Sequence, residues 1–298
     1  MKKCLIAVLI IVLVAVIGIG GVYLVKPELI TNLFNKPTEP VTPNVTDAVV
    51  VTDTKVTDAI KYEVSALLSG GKNNSNPTNN SIGYSFITYG AFDKDTLKLS
   101  DDSKRVIALN QSLESRSLMT EEIASKMKNT LEAVYGVGYE TNEKISSPVG
   151  RDYVLDANKV AAAYSSLFGT EISHADINLN CPSAKYDSNA KMYLLSFACG
   201  GGDGAPLVMY GIRDIKKSGE YLIADVEIGT YAEAVTYAGY GYKDSYTSAD
   251  IVTSGTINLG EENDILGKIV TYGKKFKKYQ MTFKEANDSY SFVEMKEA

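Results

Sequence analysis

Hydrophobic and polar positions divide the chain into three stretches of different character. Residues 4–25 form one unbroken apolar run without a charged side chain. Residues 26–55 are rich in Pro, Thr and Val and show no regular period. Over residues 56–298, apolar residues recur first at helical spacing and later at the alternating spacing of strands. This pattern predicts an anchor, an extended linker and a folded α+β domain.

The apolar run is long enough to cross a membrane as a helix. Its 22 residues would span roughly 33 Å at ~1.5 Å per residue, about the thickness of a hydrocarbon core. Lys2 and Lys3 precede it, so the positive-inside bias places residues 1–3 in the cytoplasm and the rest outside. The alternative is a cleaved signal peptide, whose apolar region is usually only about 7–15 residues long. We therefore expect a retained single-pass signal-anchor, with the lipid bilayer as its partner.

The segment between the anchor and the domain is expected to be a stiff spacer. Pro37, Pro40 and Pro43 favour an extended conformation that advances about 3.1 Å per residue. Such a linker would hold the folded domain away from the membrane surface.

Helical signals come first within the domain. Helices are expected from Val56 to Gly70 and over 101–116, 121–135 and 157–168. The last is the best defined, because Asp156 is a good N-cap and Gly169 a good terminator.

Strand signals dominate the second half. Strands are expected at 82–92, 173–181, 192–199, 206–215, 221–231, 276–285 and 290–296. Short polar turns join several of them, which indicates helices packed on an antiparallel meander sheet. Residues 56–298 are expected to form one unit, with a split near residue 150 into a helical and a sheet subdomain as the alternative.

Composition excludes several classes of function. The net charge is −6 and the pI about 5.1, whereas a general nucleic-acid binder is normally basic. His174 is the only histidine and opens an expected strand, which leaves little for a Ser-His-Asp or Cys-His mechanism. No P-loop occurs, and the glycine-rich 199–206 joins two expected strands rather than opening a helix. We assign no catalytic residue, no metal site and no cofactor.

Two cysteines bracket a short stretch outside the expected anchor. Cys181 and Cys199 flank "DSNAK" at 187–191, and a hairpin turning there would bring them opposite each other. Disulfides persist outside the cell, so we expect a bond between them, with two buried free thiols as the alternative.

Two surface features are candidates for contacts with partners. Tyrosines crowd a glycine-rich segment and suit stacking on sugars or adaptable protein contacts: Tyr231, Tyr237, Tyr240, Tyr242 and Tyr246. A lysine run is a candidate for polyanion contact: Lys274, Lys275, Lys277 and Lys278. The alternatives are a tyrosine-rich strand edge and an edge strand kept soluble by its lysines. Of the two, the tyrosine segment is the preferred contact with an envelope protein or polysaccharide.

Several stretches resemble a loose group of single-pass, surface-facing proteins of Gram-positive-type bacteria. The resemblance lies in "MKK", "LSDDSKRVIAL", "VAAAYSSLFG", the region from His174 to Cys199 and "YQMTFKEANDSYSFVEM". It implies a membrane-anchored envelope protein and no particular activity. The order of helices and then strands also resembles cystatin-like and NTF2-like domains, by analogy of fold only.

Together these features predict a non-catalytic binding or assembly module of the cell envelope. The first alternative is an envelope hydrolase that uses a pair of carboxylates in a concave site. The second is a small-ligand sensor with an apolar pocket between helices and sheet.

Overall fold

The structure of the protein is a computed structural model. It describes residues 47–69, 92–177, 183–196, 207–232, 235–241, 245–254, 276–286 and 289–298, all within the unit Asn44–Ala298. The expected anchor 4–25, most of the linker, nearly all of the expected strand 82–92 and both Cys181 and Cys199 lie outside these residues. Among the helices of the described ranges, none has the length and apolar character to span a bilayer.

Within the described residues, five α-helices form where local sequence signals favour them. They are α1 (Thr54–Ser69), α2 (Asp101–Ser112), α3 (Glu121–Lys126), α4 (Lys128–Tyr135) and α5 (Ala157–Phe168), with short 3-10 turns at Leu113–Ser115 and Tyr139–Thr141. The expected caps of α5 are confirmed: Asp156 accepts a hydrogen bond from the backbone N–H of Asn158 at 2.8 Å, and Gly169 adopts φ 65°.

The expected helix over 121–135 is wrong as a single element. It breaks at Met127, whose backbone leaves the helical region at φ −95° and ψ 15°. The Met127 side chain is fully buried, so the break turns it into the core between α3 and α4.

Eleven strands are described, and every pairing between them is antiparallel. They are β1 (Val49–Val50), β2 (Ser117–Leu118), β3 (Tyr153–Asp156), β4 (Ser183–Asp187), β5 (Met192–Ser196), β6 (Leu207–Ser218), β7 (Tyr221–Ala232), β8 (Val235–Ala238), β9 (Ile251–Ser254), β10 (Lys277–Ala286) and β11 (Ser289–Glu297). The α+β class with antiparallel sheets is therefore confirmed. The strands divide into two sheets rather than a single meander.

The large sheet has the order β1-β6-β7-β10-β11, with the β8–β9 hairpin continuing from the end of β7. Along one edge β7 pairs with β10 as far as Ile228 and with β8 from Gly229 onward. A Cβ at Gly229 would lie 2.9 Å from the carbonyl oxygen of Tyr237 and 3.0 Å from the Phe276 ring. Glycine therefore permits the close approach at the point where β7 changes partner.

The small sheet has the order β2-β3-β5-β4. The turn expected in 187–191 is confirmed, because Asp187 accepts hydrogen bonds from the backbone N–H groups of Asn189 and Ala190 at 2.9 and 2.8 Å. The expected strand 173–181 is wrong over its described part: residues 173–177 form no strand, and Ile177 makes an isolated bridge to Ala184. Residues 178–181 lie outside the described residues, and the strand before the turn is β4.

The main core lies between the helices and one face of the large sheet. The even-numbered side chains of β7 from Leu222 to Ile228 are buried there, together with Met281 and Phe283 of β10. α5 packs on α2 and β11, and α1 packs on β6 and β11. The small sheet joins this core through Leu155, Tyr193 and Leu195.

The opposite face of the small sheet is covered by α3 and α4. A second cluster of buried side chains forms there from Met119, Met127, Leu131, Tyr139, Val154 and Leu194. Both sheets contribute side chains to the main core, which includes described residues on both sides of position 150.

Candidate functional site

The structure places Tyr240 in the core, so its assignment to a contact surface is wrong. Its side chain is 4% exposed and meets the Phe92 ring edge to face at 5.5 Å. The Tyr240 hydroxyl accepts a hydrogen bond from the backbone N–H of Phe92 at 3.0 Å. Its own backbone N–H donates to the hydroxyl of Tyr279 at 3.2 Å.

The remaining tyrosines of this segment do not form one surface. Tyr231 lies opposite Thr236 and Tyr237 opposite Thr230 across β7 and β8, so the two tyrosines point to opposite faces of the sheet. Tyr237 stacks on Tyr246 with ring centroids 3.5 Å apart, and both are half-buried. Tyr242 lies outside the described residues.

The lysine run is divided between two faces in the same way. Lys277 pairs with Glu297 at 3.3 Å, while Lys278 lies opposite Glu227 on the other face of β10. Lys274 and Lys275 lie outside the described residues. The described part of the run therefore offers two separate cations and no continuous basic patch.

His174 belongs to an aromatic cluster beside the small sheet. Its Nδ1 lies 2.9 Å from the hydroxyl of Tyr193, and its ring stacks on Tyr186 at 4.9 Å. Burial lowers the pKa of His174, and the charge of Arg105 lowers it further. Burial also raises the pKa of Tyr193 to about 12. Burial thus favours the neutral form of the imidazole, which packs against the two tyrosines.

A groove of about 330 Å³ lies at the end of the small sheet, where α4 approaches it. Its lining comes from three parts of the fold: Val134 and Tyr135 at the end of α4, Arg151 to Tyr153 leading into β3, and the facing ends of β4 and β5. Ser183 and Ser196, which pair across β4 and β5, close one side. We call this cavity the small-sheet groove.

A network around Asp152 fixes the polar wall of the small-sheet groove. The Tyr135 hydroxyl donates to Asp152 Oδ2 at 2.5 Å, and Arg151 Nε donates to Oδ1 at 2.7 Å. Arg151 Nη1 also donates to the carbonyl of Ser146 at 2.7 Å. Burial and the hydrogen bond to Asp152 raise the pKa of Tyr135, and the hydrogen bond to Asp152 raises that of Arg151. Asp152 thus holds the Tyr135 phenol and the Arg151 guanidinium in place.

Two arginines stack on the two tyrosines of the groove. The Arg151 guanidinium lies 5.2 Å from the Tyr135 ring centroid, and the Arg116 guanidinium lies 5.2 Å from that of Tyr153. Arg116 donates through Nη1 to the carbonyl of Leu113 at 2.9 Å. Each arginine–tyrosine pair offers a flat contact surface. Its side chains are already held in one rotamer and lose little conformational entropy when a partner binds.

Exposed apolar side chains adjoin the stacked pairs. Val134 is 43% exposed in the groove wall, and Leu118, which lies opposite Tyr153 across β2 and β3, is 44% exposed. Val137 follows α4 and is 89% exposed between two glycines. Both glycines have positive φ, 93° at Gly136 and 77° at Gly138, which holds the loop in a shape that other residues rarely adopt.

A second cavity of about 270 Å³ lies on the outer face of the large sheet. A β-bulge at Arg213 directs its guanidinium to Glu227, which accepts from both Nε and Nη2. Asp225, two residues earlier on β7, accepts from Lys216 Nζ at 2.5 Å and from Gln280 Nε2 at 2.9 Å. Asp214, Asp225 and Glu227 line this cavity, and Asp225 and Glu227 are each paired with a cation.

Sequence reasoning missed the small-sheet groove because its residues are spread over three segments. The local signal was present in "VYGVGY" at 134–139, where Val137 stands between two glycines, and in "RDYV" at 151–154. Only the pairing of β3 with β5 brings these segments together.

No group of three or more His, Cys, Asp and Glu side chains in the described ranges is arranged to hold a metal ion. Comparison of the chain with protein-family models, with curated proteins and with solved structures finds no match.

Proposed function

We propose that the chain is a membrane-anchored binding or assembly module of the cell envelope. Residues 4–25 hold it in the bilayer, residues 26–55 space it from the surface, and the domain binds a partner without transforming it. The uncharged run with its lysine flank supports the anchor and the outward orientation of the domain.

The observation that carries the binding role is the composition of the small-sheet groove. The Arg151–Tyr135 pair stands beside the exposed Val134 in the groove wall, and the exposed Val137 follows in the next loop. The Arg116–Tyr153 pair and the exposed Leu118 lie on the other face of β3. Tyr and Arg are enriched at the energetic centres of protein interfaces, and exposed apolar groups beside them supply area that a partner can bury. This set replaces the tyrosine segment 231–246 as the proposed contact surface.

The binding role is tested by capture from native membranes with a matched pair of variants. Val137→Asp places a charge at the tip beside the groove, while Val49→Asp places one at a 70% exposed position on β1. After cross-linking of the full-length chain, Val137→Asp is expected to lose the cross-linked partner and Val49→Asp to retain it. Equal recovery of that partner with both variants would contradict a contact between the groove and the partner.

A carboxylate-based hydrolase is the second candidate, favoured by Asp225 and Glu227 in one cavity. Alternate residues of a strand are about 7 Å apart, within the roughly 6.5–9.5 Å range between the carboxyl groups of inverting glycosidases. The ion pairs argue against a hydrolase. A general acid must carry a proton, whereas Asp225 and Glu227 are each paired with a cation. Release of reducing sugars from envelope polysaccharide, abolished by Asp225→Asn and by Glu227→Gln but not by Asp58→Asn on the exposed face of α1, would favour this candidate over the binding module.

A further inference from the structure

We propose that residues 170–177, which we call the strap, form an acid-released cover on the small sheet, with His174 as the group that responds to pH. The strap follows the end of α5 and lies against β4 and β5. The inference concerns a conformational response of the domain and does not depend on a partner at the small-sheet groove.

Backbone hydrogen bonds hold the strap on both sides of His174. Before the histidine, the carbonyl of Ser173 accepts from Arg105 Nε of α2 at 2.8 Å. After it, Ile177 and Ala184 of β4 exchange two backbone hydrogen bonds at 2.8 and 2.9 Å, and the Ile177 side chain is fully buried in the main core. His174 is therefore held over the sheet between two fixed points.

The contact between His174 and Tyr193 requires a neutral imidazole. Burial raises the pKa of Tyr193 to about 12, so the phenol keeps its proton. The backbone N–H of Ala175 donates to the phenol oxygen, and the phenol proton is left for His174 Nδ1 at 2.9 Å. Nδ1 accepts only when it carries no proton, which places the imidazole proton on Nε2. An imidazolium would instead set the Nδ1 proton against the phenol proton and break the contact.

The α2 side of His174 also disfavours an imidazolium. Burial lowers the pKa of His174, and the positive charge of Arg105 lowers it further. Asp102 pairs with Arg105 at 2.5 Å, and the guanidinium still acts on the histidine.

The β4 side offers the histidine no free carboxylate. Asp176 in the strap is paired with Lys185 at 2.8 Å, and Tyr186 stacks on the imidazole at 4.9 Å and covers one face of it. Burial acts to raise the pKa of Asp176, but hydrogen bonds from Lys185 and from the backbone N–H of Tyr186 lower it overall. Asp176 therefore stays ionised and paired at the pH values where the histidine titrates.

Acid favours the open strap for this reason. An imidazole free of these contacts has an ordinary pKa of 6.5, above that of the closed strap, so the open form binds the proton more tightly. The strap is held fully above pH 6.5, and its hold weakens as the pH falls from 6.5 toward the lower pKa of the closed form. Release uncovers the side chains of Ile177 and Tyr193, both fully buried, and so exposes apolar surface in acid.

The first test is an NMR titration of the full-length chain in neutral-lipid nanodiscs with isotopically labelled histidine. His174 is the only histidine, so its ring signals need no assignment. We expect the tautomer with the proton on Nε2 and a titration midpoint below 6.5. The other tautomer, or a midpoint at or above 6.5, would overturn the proposal.

The second test is hydrogen exchange at the backbone N–H groups of Ile177 and Ala184, which are protected only while the strap is closed. After correction for the intrinsic exchange rate, their protection is expected to fall about tenfold between pH 7.5 and pH 5 if the NMR midpoint lies one pH unit below 6.5. Protection that stays constant over this range would contradict an acid-released strap.

His174→Asn is the matched variant, because its amide oxygen can accept from Tyr193 and cannot be protonated in this range. Every other titrating group, Glu63 included, is shared with the native chain, so protection in the variant is expected to lack the tenfold fall. An equal fall in both proteins would assign the response to another group. The NMR titration of the native chain decides the proposal by itself if the variant does not fold.

Discussion

Tyr240 and Phe92 lie 148 residues apart in the chain, yet the backbone N–H of Phe92 donates to the Tyr240 hydroxyl at 3.0 Å and the two rings meet edge to face. The contact fastens the segment after β8 to the segment before α2. Tyr240 is therefore part of the hydrophobic core, although it lies in a glycine-rich stretch of the sequence.

Tyr240 is expected to be a stability residue. Tyr240→Ala removes a buried ring and should lower the free energy of unfolding by about 3–5 kcal/mol, as other aromatic truncations do. Tyr240→Phe keeps the ring but leaves the Phe92 N–H unpaired, for a loss of about 1–3 kcal/mol. Denaturant titration measures both losses. The half-buried Tyr237 is the comparison, and an equal loss in Tyr237→Ala would contradict the distinction.

Glu63 on α1 is expected to make stability depend on pH. One of its carboxylate oxygens is buried and has no hydrogen-bond partner among the described residues, and burial raises its pKa to about 7. The folded state therefore holds a proton that the unfolded state releases near pH 4.5, so stability falls as pH rises from about 4.5 to about 7. The difference between these two values corresponds to about 3 kcal/mol.

Glu63→Gln isolates this contribution because every other titrating group is shared by the two proteins. The free energy of unfolding of the variant minus that of the native chain should rise by up to about 3 kcal/mol between pH 5 and pH 8. A difference that stays constant over this window would show that Glu63 is not held in a site that disfavours its charge.

A disulfide between Cys181 and Cys199 remains a prediction. The described ladder ends with Ser183 opposite Ser196. Cys181 lies two residues before Ser183 in the chain, and Cys199 lies three residues after Ser196. Mass spectrometry of peptides from unreduced protein, taken from its native compartment, should find the two linked. Complete alkylation of both thiols without a reductant would exclude the bond.

The outward orientation of the domain also remains a prediction. Protease added to intact, wall-stripped cells should digest residues 26–298, because the two lysines before the apolar run favour a cytoplasmic N-terminus. Protection until the cells are lysed would place the domain on the other side of the membrane.

Local signals predicted the elements well where a single residue type decides them. The bounds of α5 follow from Asp156 and Gly169, and the turn after β4 follows from Asp187. Such effects act within a few residues.

Features that depend on distant contacts could not be predicted in the same way. The alternation of apolar residues over 173–181 is typical of a strand, but the described part, 173–177, makes only the isolated bridge of Ile177 to Ala184. The burial of Tyr240 depends on Phe92, and the groove depends on β3 meeting β5. A tyrosine count does not reveal which side of a strand each ring occupies.

The central claim is that the small-sheet groove, and not the tyrosine segment, contacts a partner outside the membrane. A photo-crosslinking amino acid placed at Val137 or, separately, at Tyr237 tests it most directly in living cells. Val137 is 89% exposed and Tyr237 is half-buried, and they lie in different parts of the fold. A discrete adduct is expected from Val137 and none from Tyr237. An adduct from Tyr237 with none from Val137 would contradict it.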